Sequence, residues 1–280
     1  MFDSIAPEYD KLNHIMSLDI DKSWRRRAVK YIFKPDTTER AMASSGDSET
    51  GGLHILDIAC GTGDFSIAIA REMMRRARAC SEGTDARLGE EKPQGGEGDS
   101  EFSLHKAHTG GYWPGHVTGL DLSEGMLGVM AEKVREAGLE DIVSYELGDS
   151  ENLRFEDGSF DRVTVAFGVR NFEDREKGLR EMLRVLRPGG ELVILELSVP
   201  SNAVLRWLFN LYFLHILPLI GGKVSGDKAA YRYLPASVLG FPGKRRFMHT
   251  LRECGFRNVR HKAFTFGICR MYSGEKPFRA

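Results

Sequence analysis

The sequence predicts an α/β fold, a largely parallel sheet covered by helices on both faces. Two observations predict it: short apolar runs alternate with amphipathic stretches between residues 53 and 199, and Pro/Gly clusters punctuate the joins. The runs 54–59, 117–121, 143–147, 160–167 and 191–197 read as strands, because near-continuous apolar residues suit strands buried on both faces. Between them, 64–76, 124–137 and 174–186 carry apolar residues at helical spacing. Pro188-Gly189-Gly190 is expected to end the last of these helices and turn the chain into the next strand.

After residue 199 come an apolar helical stretch at 204–220, a Tyr/Pro-rich segment at 229–243 and a helix near 244–254. Runs 259–264 and 268–273, around Phe266-Gly267, read as a hairpin that closes the sheet. Two segments break the pattern. Residues 36–52 are rich in Ser, Thr, Gly and Glu, and 80–115 carry Gly, Glu and His without apolar periodicity. The expected organisation is an N-terminal helical cap at 1–35, a flexible insert at 36–52 and a core at 53–280. That core carries a mobile insert at about 80–115 and an apolar helical substrate-side segment at about 201–243.

Composition narrows the function. Lys plus Arg number 39 and Asp plus Glu 40, so a net charge of −1 argues against nucleic acid as a partner. Cys60, Cys80, Cys254 and Cys269 lack metal-ligand spacing, so no metal site is expected. The opening Met1-Phe2-Asp3-Ser4 resembles neither a signal nor a transit peptide, and 204–220 is interrupted by Arg206, Asn210, His215 and Pro218. A cytoplasmic protein is expected, able to touch a membrane surface but not to span it.

Four strand ends carry the chemistry. At Asp57-Ile58-Ala59-Cys60-Gly61-Thr62-Gly63 an apolar strand enters a glycine turn, where missing Cβ atoms let backbone approach a ligand. A dinucleotide site needs a third glycine where this chain has Ser66, which favours a ligand without a pyrophosphate, such as S-adenosylmethionine. Asp121 ends the second strand, where an acid can accept both ribose hydroxyls; it lies 58 residues beyond Gly63 because the 80–115 insert intervenes. Its plainer reading is an acid beside a helix cap. Asp149 and Ser150 follow the third strand and could read adenine, or simply form a polar loop. Arg170 follows the fourth strand and points toward the same crevice unless it is a solvated surface residue.

Together these residues resemble the ubiquinone/menaquinone biosynthesis C-methyltransferase family. The resemblance rests on Met1–Asp10 with Leu12-Asn13-His14 and Trp24-Arg25, on Phe167-Gly168-Val169-Arg170-Asn171, and on Tyr231-Arg232-Tyr233-Leu234-Pro235. It implies a Rossmann-like class I methyltransferase with a mostly parallel seven-stranded sheet and S-adenosylmethionine as cofactor. By position it implies cofactor contacts at Thr62, Asp121, Asp149 and Ser150, beside Asp57, Gly61 and Gly63 of the glycine turn. The family often has Asn-Ala where this chain has Asp149-Ser150, and a cofactor-contacting Ser where it has Ala166. The implied substrate is a prenylated quinol methylated at a ring carbon, and the opening is closer to bacterial menaquinone enzymes than to mitochondrial ubiquinone ones. The competing readings are C-methylation of a ubiquinone precursor, a methyltransferase of another small molecule and a non-catalytic nucleotide-binding assembly subunit. A homodimer remains open.

For that chemistry Arg170 is the candidate to stabilise a quinolate oxygen or orient a water, since a guanidinium cannot serve as a bare base. Tyr9 is a second catalytic candidate. Asn171, Tyr231 and Tyr233 are candidates for ordering the ring, each tyrosine being equally able to act as a buried aromatic. The 204–220 stretch can receive a prenyl tail at about 0.8 kcal/mol per methylene, or pack as an ordinary core helix.

Overall fold

Alternate residues of each strand serve opposite faces, and this builds the molecule. The computed structural model describes residues 19–34, 52–85, 115–212 and 228–278, with side chains described outside 80–85 and 228–232. Strands β1 (Leu53–Ile58), β2 (Gly115–Asp121), β3 (Val143–Leu147), β4 (Phe160–Ala166), β5 (Leu186–Leu197), β6 (Arg257–Phe264) and β7 (Cys269–Glu275) form one sheet of order β3-β2-β1-β4-β5-β7-β6. Neighbours pair in parallel from β3 to β5, while β7 runs antiparallel to both β5 and β6. The expected closing hairpin is therefore present.

The described residues form seven α-helices: α1 (Ile20–Ile32), α2 (Asp64–Asp85), α3 (Glu124–Glu136), α4 (Arg175–Val185), α5 (Ala203–Leu211), α6 (Lys228–Gly240) and α7 (Lys244–Glu253). Ile55, Val193 and Leu195 join Trp24, Phe65, Ile69 and Met130 in one core layer, under α1, α2 and α3. Leu56, Ile58, Leu192 and Ile194 join Leu179, Met182, Phe247 and Leu251 in the other, under α4 and α7. Helix starts follow their capping chemistry: the Ser123 side chain accepts from Met126 N–H, and Asp174 from Lys177 N–H.

Two expectations are corrected. Pro188-Gly189-Gly190 does not separate helix from strand. The chain passes from Val185 straight into β5 at Leu186, and Gly189 N–H donates to the Lys276 carbonyl while Lys276 N–H donates to Gly190. A Cβ on Gly189 would stand 2.5 Å from Phe278 Cζ, so glycine here serves close packing against the C-terminal segment. The helix expected to end near 76 continues to Asp85, so the first residues assigned to the 80–115 insert are helical. Within the stretch expected to be helical, the Tyr/Pro-rich segment forms α6, with Pro235 inside it. Residues 35–51, 86–114 and 213–227, with most of both inserts and half of the apolar stretch, lie outside the described residues.

Candidate active site

The chain reverses direction across the sheet between β1 and β4, and at such a switch point the loops at the strand C-termini part to leave a crevice. A cleft of about 340 Å³ opens there. Its floor is the end of β1 with the glycine turn, and the end of β4. Asp21, Trp24 and Arg25 of α1 form one wall, and Leu205, Leu208 and Phe209 of α5 with Leu234 of α6 form another. The turn Thr265-Phe266 between β6 and β7 completes the rim.

Backbone strain concentrates here. Of six described non-glycine residues with positive φ, four line the cleft: Ala59 (52°), Phe167 (62°), Thr265 (43°) and Phe266 (55°). Such angles are costly for residues with a Cβ and cluster at functional sites. Gly61 (57°) and Gly63 (82°) carry the turn itself. A Cβ on Gly63 would lie 2.5 Å from Met130 Cγ, and one on Gly168 2.5 Å from Ala59 Cβ, so both strand-end turns require bare backbone.

The sequence-predicted residues fall into three groups. Beside the floor, Gly61 N–H donates to Asp121 Oδ2 at 2.8 Å and Ser123 N–H to Asp121 Oδ1 at 3.0 Å, so this carboxylate, which does not itself line the cleft, is joined directly to the glycine turn that does. Thr62 is buried, its hydroxyl 3.2 Å from Lys133 Nζ. Asp57 is buried beneath the turn, accepting from Ser66 at 2.6 Å and Thr164 at 2.7 Å. Burial pushes its carboxyl up to about 6, against the lowering effect of those hydroxyls.

Beyond Asp121, Gly148 N–H donates to the Asp121 carbonyl and brings the 149–150 loop alongside. Neither Asp149 nor Ser150 lines the cleft: Asp149 accepts from Glu151 N–H, and Ser150 is buried near Gly178. In the third group, Arg170 lines the cleft, and Tyr233 donates to Asn171 Oδ1 at 2.9 Å. Tyr9 and the Tyr231 side chain lie outside the described residues.

Arg170 has a partner that sequence reasoning missed. Glu196, fully buried at the end of β5, accepts from Arg170 Nη1 at 2.8 Å and from Arg170 N–H at 3.1 Å. The same Nη1 donates to the Phe167 carbonyl, while Nε is buried without a partner. The available signal was an acid inside an otherwise apolar run, since an ionised carboxylate is buried only when paired. Also missed was a charged network: Arg25 Nη1 bonds Asp21 at 2.6 Å and Asp64 at 3.2 Å, and Lys133 bonds Asp64 at 2.7 Å. The Asp21–Arg25 spacing of four on one helix was its only local trace.

Cys60 also lines the cleft, but burial holds its thiol well above the usual range, against Met130 Sδ at 3.5 Å. A thiol kept protonated in this way is a weak nucleophile. Among the described residues no group of His, Cys, Asp and Glu could hold a metal ion.

Comparison with known proteins decides the family. The model of the ubiE/COQ5 methyltransferase family matches residues 1–276. The chain belongs to that family. A demethylmenaquinone methyltransferase of Bacteroides fragilis is 37% identical over 99% of this chain and 91% of its own length. Another from Deinococcus radiodurans is 39% identical over 99% and 91%. The ubiquinone/menaquinone biosynthesis C-methyltransferase UbiE of Geobacter sulfurreducens is 37% identical over 99% and 87%. Among solved structures, a SAM-dependent methyltransferase of Thermotoga maritima superposes with a TM-score of 0.54 at 15% identity, over 98% of this chain and 97% of its own, a likeness of fold. The protein is thus a C-methyltransferase with the Rossmann-like fold its sequence predicts, and no described helix is long and apolar enough to cross a membrane.

Proposed function

We propose that this methyltransferase moves a methyl group from S-adenosylmethionine to a ring carbon of a prenylated quinol, demethylmenaquinol. The names of its curated relatives favour that substrate. The observation that carries the reading is one cleft with two chemically different ends. One end is lined by Asp21, Arg25, Gly61, Thr62 and Asp64, and the other by Leu197, Leu205, Leu208, Phe209 and Ile268. A charged donor suits the first and a greasy acceptor the second.

The residues at and beside the polar end fit an adenosyl group. Asp121, oriented by two backbone N–H groups, is the acceptor that vicinal ribose hydroxyls need, and the side-chain-free turn lets a ligand lie against backbone. When bound, the donor would supply an electrophilic methyl group to the ring carbon, which would then give up its hydrogen to water as a proton so that the ring regains aromaticity.

This chain's residues supply position and charge. The Arg170 guanidinium is fixed through Nη1 by Glu196 and the Phe167 carbonyl at the lining of the cleft. Held there, its positive charge would offset that of a quinolate oxygen, formed once the hydroxyl proton has gone to water. Asn171 and Tyr233, already bonded to each other, flank the same turn and would border the ring. Phe209 and its neighbours exclude water from the tail. Exposed Val204, Trp207, Leu208 and Leu211 on α5, with Phe266 on the rim, would meet the lipid in which such a substrate is dissolved.

The test is incubation of the protein with S-adenosylmethionine and demethylmenaquinol, read by mass spectrometry. A singly methylated product is expected; no product with intact donor binding would overturn the assigned acceptor. Arg170→Ala should lower turnover about a hundredfold while leaving donor affinity within about twofold. Unchanged turnover would end the role of Arg170.

A further inference from the structure

A methyl donor carrying an amino-acid tail needs receptors for a carboxylate and an ammonium, and the glycine turn offers only backbone. The sheet order gives the direction in which that tail lies. Asp121 stands at the end of β2, the glycine turn at the end of β1, and Phe167 just beyond β4. With the ribose at Asp121, the base extends toward β3, and the sulfonium and tail extend toward β4, under α1.

There the cleft presents Asp21, Arg25 and Asp64. Arg25 is immobilised from two sides. Its Nη1 bonds both carboxylates, its Cζ lies 5.7 Å from the centre of the Phe167 ring, and its side chain is only 13% exposed. Both hydrogens of Nη1 are engaged, so the guanidinium meets a ligand through its Nε–Nη2 edge, the edge that matches a carboxylate in a bidentate fork. Asp64 also receives Lys133, so two carboxylates and two cations surround this end, complementary to a zwitterion of zero net charge.

The geometry points to Arg25 as the receptor of the donor's tail carboxylate, with Asp21 and Asp64 receiving its ammonium. This assignment rests on S-adenosylmethionine being the donor. It gives α1 a chemical role: the helix forms the far wall of the donor site, and Trp24 anchors it by donating to Thr265 Oγ1 at 2.8 Å.

Isothermal titration with two ligands tests it. S-adenosylhomocysteine carries the tail; 5′-methylthioadenosine keeps the adenosyl thioether and lacks it. Arg25→Gln should weaken S-adenosylhomocysteine roughly tenfold or more while changing 5′-methylthioadenosine by less than about twofold. Arg25→Lys, which keeps charge without the fork, should fall between. Equal weakening of both ligands would reduce Arg25 to a staple for α1 and overturn the assignment, as would no change in either. If Arg25→Gln shows no cooperative thermal transition, the unaltered protein is titrated with the carboxamide of S-adenosylhomocysteine. A loss of roughly tenfold is expected there, and equal affinity for acid and amide would overturn the proposal. An unaltered protein that binds neither ligand would instead refute S-adenosylmethionine as donor.

Discussion

Two buried glutamates on one strand were put to opposite uses. Glu191 and Glu196 both lie on β5, 2% and 0% exposed, five positions apart and therefore on opposite faces. Glu191 sits toward the end of the sheet away from the cleft, accepting from the Tyr31 hydroxyl at 2.7 Å beside buried Arg162, with Ser273 on the same hydroxyl. Burial pushes its carboxyl up, and burial together with Glu191 pushes Tyr31 up to about 12. Glu196 sits at the cleft end and binds Arg170, a residue of the cleft wall. A buried charge without a ligand nearby can matter only to folding; one that holds a cleft residue can matter to turnover.

The largest expected effect lies at the closed end. Glu191→Ala strips a carboxylate from beside Arg162, leaving a buried guanidinium with less compensation, and should cost about 3 kcal/mol. Denaturant unfolding reads the loss, and turnover should stay as it was. A fall in turnover at unchanged stability would break the contrast between the two glutamates.

A third buried carboxylate, Asp57, sharpens the contrast through pH. Its carboxyl is raised from 3.8 to about 6, burial being the main cause, with Asp121 adding to the rise and Arg25 opposing it. Between these values the folded state holds a proton that the unfolded state has released. Stability therefore falls as pH rises from about 4 to about 6, by up to about 3 kcal/mol, and the penalty is complete above pH 6. Asp57→Asn carries no such proton, while Ser66 and Thr164 can each donate or accept. The stability of the variant relative to the parent should therefore climb across that window and level off above it. Unfolding free energies that run parallel from pH 4 to 7 would show that Asp57 stays ionised in the fold.

What the sequence disclosed follows distance along the chain. β3 occupies the expected residues, and β1, β2 and β4 fall within two residues of theirs, because each apolar run is its own signal. The glycine turn was legible because positive φ at 61 and 63 is a local demand that glycine answers. β5 was read too short: Leu186–Gly190 look like a turn locally, but Leu186 pairs with Phe160 of β4, and Lys276, far along the chain, bonds Gly189 and Gly190. Arg25 and Glu196 escaped for the same reason. Arg25 finds Asp64 across 39 residues, and Arg170 finds Glu196 across 26. Isolated in sequence, a charge shows its type but not its partner.

The smallest expected effect isolates that last pair. Glu196→Gln keeps an oxygen able to accept from Arg170 and removes the charge, so the fold should persist while the guanidinium is held less firmly. Turnover should fall about tenfold, roughly 1.4 kcal/mol, with the KM for the donor little changed, because Glu196 touches neither the glycine turn nor Asp121. A merely structural role would give a similar loss in any background. Acting through Arg170 predicts coupling instead: in an Arg170→Ala protein, Glu196→Gln should cost nothing further in turnover. Additive losses would mean that Glu196 serves the cleft by another route, and the division between the two ends of β5 would then have to be drawn on grounds other than Arg170.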